Sequence, residues 1–113
     1  MKQKTENPDV KYDIGASKIT FLNYVRELHK NLHSKYKDAT LINGRRRKQK
    51  TVKIYSDTSV FSVMVSEENR NRDCTKINIR FARVPHEELE DLEEEIDGIL
   101  KDIFRSNIEK EQI

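Results

Sequence analysis

The sequence predicts an α+β two-layer sandwich: an antiparallel sheet of three or four strands with two helices on one face, in the order α-β-β-β-α. Three observations predict it. Apolar side chains recur at helical spacing from Ile19 to Tyr36, three runs between Thr51 and Phe81 alternate apolar and polar residues, and a second helical stripe follows Pro85. A chain of 113 residues has room for one such domain around one core.

Residues 1 to 16 are polar, contain Pro8 and Gly15 and show no sustained period, so they are expected to form a flexible arm ahead of a domain spanning 17 to 108. Ile19, Leu22, Val25, Leu28, Leu32 and Tyr36, widened by Phe21 and Tyr24, predict a helix over 18 to 36, with Ser17 as its N-cap. A short extended piece, ATLIN, leads to Asn43-Gly44, a dipeptide suited to the positive φ values of a tight hairpin turn. The basic run that follows is then expected on the rising edge of a strand.

Val52 and Ile54 alternate with Lys53 and Tyr55. Phe61, Val63 and Val65 alternate with Ser62, Met64 and Ser66, and Ile77, Ile79 and Phe81 with Lys76, Asn78 and Arg80. Ser56-Asp57-Thr58 reads as a turn and EENRNRD as a polar loop, giving a meander with one dry and one wet face. Pro85 opens the second helix where a missing amide costs nothing, and this helix of about 24 residues, with an apolar stripe from Leu89 to Ile108, runs for about 36 Å, long enough to project beyond the sheet. Residues 109 to 113 remain as a tail.

Charge is sorted along the chain. The net charge is +2, yet residues 18 to 53 carry eleven Lys/Arg against two acids, a net +9, and residues 86 to 113 carry eleven Asp/Glu against three bases, a net −8. The single cysteine, Cys74, cannot form an internal disulfide, no apolar run approaches the ~18 residues of a membrane span, and the first residues lack the apolar stretch of a signal peptide. The chain is therefore expected in the cytoplasm, with no membrane partner.

The segment GRRRKQK holds Arg45, Arg46, Arg47, Lys48 and Lys50, cations that pair with phosphate and release counterions; five contacts would give a log–log salt slope of about −4.5. Lys53, Tyr55, Lys76, Asn78 and Arg80 extend this surface across a wet face on which no acid is expected, with Tyr55 available to stack a base. Val60 and Met64 offer the same face a homodimer seam. On the second helix Glu90, Glu93, Glu94 and Asp97 fall on one side, an acidic strip suited to a basic protein partner.

Enzyme chemistry finds no support. His29 and His33 sit one helical turn apart, but Lys30 stands where a metalloprotease helix carries its glutamate, and no third metal ligand is evident. Cys74 has cations nearby, Arg70, Arg72 and Lys76, but no identifiable base, and there is no Gly-rich phosphate loop. No cofactor is expected.

The order α-β-β-β-α over residues 17 to 108 is similar to the layout of double-stranded-RNA-binding domains. That family grips duplex phosphates with a lysine-rich start to its second helix; the corresponding stretch here, HEELEDLEEE, carries carboxylates that repel phosphate, so none of its contact residues is carried over. Sorted charge on a small α+β core also resembles small proteins of phages and plasmids, inhibitors of CRISPR nucleases among them. The leading expectation is a non-catalytic nucleic-acid-associated protein, DNA or RNA, and the alternative is an inhibitor or adaptor that binds a host nucleic-acid enzyme through its acidic helix and basic run.

Overall fold

The computed structural model describes residues 5–6, 8–15, 18–57, 59–70, 74–105 and 108–112. In chain order these form β1 (Thr5–Glu6), β2 (Asp9–Gly15), α1 (Phe21–Tyr36), β3 (Ala39–Asn43), β4 (Gln49–Tyr55), β5 (Val60–Arg70), β6 (Cys74–Ala82), β7 (Val84–Pro85), α2 (His86–Phe104) and β8 (Ile108–Gln112). The α+β class and the pair of helices are as predicted. The sheet is larger: six antiparallel strands in the order β3-β4-β5-β6-β2-β8, with β1 and β7 forming a separate short pair.

The additional strands come from the ends of the chain. Asp9–Gly15, expected within the arm, alternates as a strand, burying Val10, Tyr12 and Ile14 and leaving Asp9, Lys11 and Asp13 on the other face. Helix α1 carries the chain to the far edge, the meander β3 to β6 walks back to β2, and α2 returns it to the other side as β8. The second helix therefore does not project. It ends at Phe104, Arg105 turns at φ 58°, and Ile108, expected on the helix, starts β8. The supposed tail is thereby mostly strand.

The first helix is three residues shorter than predicted, because Thr20 rather than an earlier residue caps it, its side-chain oxygen accepting from the Asn23 amide at 3.3 Å. Ser17, the expected cap, lies outside the described residues. Phe21, Tyr24, Val25, Leu28 and Leu32 form the buried stripe, whereas Leu22 is 39 % exposed, so the apolar face is narrower than the sequence implied. Against it pack Leu92, Ile96, Ile99, Leu100 and Phe104 of α2 and the inner rows of the sheet, in one continuous core. Tyr24 meets the Phe104 ring edge-on at 5.4 Å, and Tyr36 meets Phe61 at 5.7 Å.

Gly98 sits on the outer side of α2, and a Cβ there would meet nothing within 4 Å among the described residues, so none of their backbone requires it. Gly98→Ala is expected to stabilise the fold by about 1 kcal/mol, read from the urea midpoint; a loss of stability would contradict it. No helix among the described residues is long and apolar enough to cross a membrane.

Candidate functional site

Asn43-Gly44 does not form the tight two-residue turn. No glycine among the described residues has a positive φ, and β3 and β4 are joined instead by a five-residue loop, 44 to 48, closed by the Gly44 amide donating to the Gln49 carbonyl at 2.9 Å. The Gln49 side chain then folds under the loop, where Oε1 accepts from the backbone amides of Arg45 and Arg46 at 3.1 and 3.3 Å. Gly44 is needed for close approach: a Cβ there would lie 2.6 Å from the Gln49 carbonyl oxygen. Gly44→Ala is expected to cost about 2 kcal/mol by forcing that closure apart. A urea midpoint equal to wild type would refute this.

Because the loop is five residues long, Arg45, Arg46, Arg47 and Lys48 lie at the hairpin tip rather than on a strand edge, and all four are exposed. Among the described residues no carboxylate lies within 4 Å of the Arg45, Arg46 or Arg47 guanidinium. The other two cations of the run are tethered. Lys48 Nζ donates to Glu67 at 2.8 Å, and Lys50 Nζ donates to the Asn43 side chain across the β3–β4 pair.

Glu67 is a site residue that the sequence conceals, since EENRNRD reads as a polar loop. Instead β5 runs on to Arg70 through a register shift between Glu67 and Asn69, and the Glu67 side chain is only 1 % exposed. It accepts from the Tyr24 hydroxyl at 3.0 Å, from Lys48, and from Arg70, whose Nη2 lies 2.8 Å from Glu67 Oε1 and also donates to the Ile19 carbonyl. Burial by itself would raise the Glu67 pKa. The hydrogen bonds from Arg70, Lys48 and Tyr24 outweigh it and hold the carboxyl below its ordinary value. Burial, reinforced by this neighbouring carboxylate, pushes the Tyr24 phenol far up.

The wet face is not the acid-free surface that the sequence implied. Because β2 lies beside β6, Asp9 stands opposite Arg80 and Asp13 opposite Lys76. Arg80 Nε donates to Asp9 at 2.7 Å and its Nη2 at 3.1 Å, holding the Asp9 carboxyl below its usual range; Lys76 approaches Asp13 at 3.8 Å and Lys11 approaches Glu68 at 3.3 Å. Asn78 is buried, at 6 % exposure, between Ser66 and Lys11 on the neighbouring strands. Lys53 sits over the Tyr55 ring, 5.6 Å from its centroid. Tyr55 itself lies at the far end of β4 from the loop, about 20 Å away at 3.4 Å per residue.

The ten residues singled out for nucleic acid thus divide into an unopposed tip, Arg45 to Arg47; two tethered lysines, Lys48 and Lys50; a distant Lys53–Tyr55 pair; the ion-paired Lys76 and Arg80; and a buried Asn78. The acidic strip divides as well. Lys110 of β8 binds Glu93 at 2.6 Å and Asp97 at 2.9 Å, and the buried Tyr12 hydroxyl donates to Asp97. Glu90 and Glu94 remain exposed. His29 Nε2 lies 2.8 Å from the Ala39 carbonyl, fastening α1 to β3, and Cys74 Sγ lies 3.9 Å from Asp13 Oδ1. Among the described residues no group of three His, Cys, Asp or Glu side chains converges as a metal site. No protein-family model matches the chain, and no curated protein matches it.

Proposed function

We propose that this chain is a small, non-catalytic nucleic-acid-binding protein whose contact surface is the tip of the β3–β4 hairpin. The observation that carries the reading is the set of three consecutive arginines, exposed and unopposed, on a loop pinned by Gly44 and Gln49. Such a loop presents charge-assisted donors without first having to break internal ion pairs. Lys48 and Lys50 flank it as weaker contributors because each already has a partner.

Because β4 is paired with β5 along its whole length, only the loop from 44 to 48 is offered to a ligand, and duplex DNA, whose two strands give the denser row of phosphates, is the favoured form. Single-strand stacking on Tyr55 is the weaker option, since the ring is remote from the tip and already bears Lys53. The acidic-helix alternative retains Glu90 and Glu94 but loses Glu93 and Asp97 to Lys110. The test is a fluorescence-anisotropy titration against a random DNA duplex and a single-stranded RNA at about 50 and 200 mM salt. Three phosphate contacts give an expected log–log slope of about −2.7, with tighter binding to the duplex. No binding at the lower salt, or binding indifferent to salt, overturns the proposal.

A further inference from the structure

Strand β3 ends the sheet, and its backbone parity can be read from the bonds that bracket it. The Gly44 amide donates to the Gln49 carbonyl and the Tyr55 amide to the Asp38 carbonyl. In an antiparallel ladder this turns the amides and carbonyls of Thr40 and Ile42 toward β4, and those of Ala39, Leu41 and Asn43 toward the open side. His29 occupies the Ala39 carbonyl. The open edge is therefore closed off at its α1 end and continues, through Leu41 and Asn43, directly to the arginine tip.

Side chains beside this edge have a definite character. Ile42 is 43 % exposed on the outer face and Tyr55, one strand in, is 37 % exposed; exposed Lys37 stands at one end of the strand and Arg45, Arg46 and Arg47 at the other. We propose that β3 is a docking edge for an extended acidic segment of a partner protein. The segment adds as a seventh strand, its backbone bonding Leu41 and Asn43, alternate apolar side chains resting on Ile42, and its carboxylates meeting the arginine tip.

A second copy of this chain fits the same edge less well in the registers that overlap β3 fully. Antiparallel pairing of two β3 strands about Leu41 sets Lys37 of one copy against Arg45 of the other, and parallel pairing sets the two arginine tips together, so like charges meet in both arrangements. Nucleic acid has no backbone able to continue a β-ladder. An acidic extended peptide satisfies the backbone groups of Leu41 and Asn43, which no other described residue bonds, together with the apolar side chain and the charge.

The probe is a short fluorescein-labelled peptide alternating aspartate and valine, titrated into the intact chain at low salt. Binding is expected, with amide resonances of Leu41 and Asn43 shifting on the wild-type protein, and with no binding by a peptide that carries lysine in place of aspartate. Asn43→Pro removes an outward-facing amide that β4 does not use, and is expected to weaken peptide binding about tenfold without lowering nucleic-acid binding, since the same change only releases Lys50 from the Asn43 side chain. Binding that shifts only loop resonances or survives Asn43→Pro overturns the docking edge, as does no binding at all. These results leave the phosphate reading standing, because only the arginine side chains carry that one.

Discussion

Replacing Arg45, Arg46 and Arg47 together by alanine is expected to weaken duplex binding about 500-fold near 0.1 M salt, because each lost phosphate contact removes a factor of roughly eight through counterion release. Stability should change by no more than about 0.5 kcal/mol. The loop is held by the Gly44 amide and by the backbone amides of Arg45 and Arg46 on Gln49, none of which involves an arginine side chain. Removing Arg80 or Lys76 makes the matching control: both are opposed by aspartates, so each loss should change affinity by less than about threefold. Binding that persists in the triple variant, or that collapses in the control, would place the contact surface elsewhere.

Glu67→Ala is expected to lower stability by about 3 kcal/mol at neutral pH, or roughly 10 °C in melting temperature. The change strips the buried Tyr24 hydroxyl of its acceptor and leaves Arg70 and Lys48 without their carboxylate; because these cations are 27 % and 49 % exposed, the cost falls at the lower end of the range for broken buried pairs. Its pH dependence has a fixed sign. The folded pKa of Glu67 is depressed below 4.5, so its contribution is fully present above the unfolded value and is lost as pH falls through the folded one. The gap between wild type and variant, measured by urea unfolding, should therefore narrow under acid. A gap below about 1 kcal/mol at neutral pH would mean that the cluster is ornamental to stability.

Mutating Glu67 also tests the link between core and tip. Lys48 is the residue through which the loop touches this buried carboxylate, and the Glu67 amide donates to the Lys48 carbonyl at 3.0 Å. The arginine tip thus rests on a fastening that the sequence places in a loop. Its residues, Tyr24, Lys48, Glu67 and Arg70, are spread over α1, the hairpin loop and β5.

By itself the sequence determined the periodic elements: the α1 stripe from Phe21 to Leu32, the alternation through β4, β5 and β6, the extended ATLIN segment, and a second helix opening at Pro85. It also located the arginine cluster, because local composition requires no partner to be read. Tertiary structure alone decided that Asp9–Gly15 is a strand and that Ile108 leaves the helix for β8, since pairing on both sides of β2 supplies the bonds that a short polar segment cannot secure by itself. That pairing placed Asp9 and Asp13 against Arg80 and Lys76 and so opposed two of the three cations expected on the wet face. The same long-range contacts buried Glu67 and drew Asp97 to Tyr12, because a charge's environment depends on the strands and helices packed around it, which no local window contains.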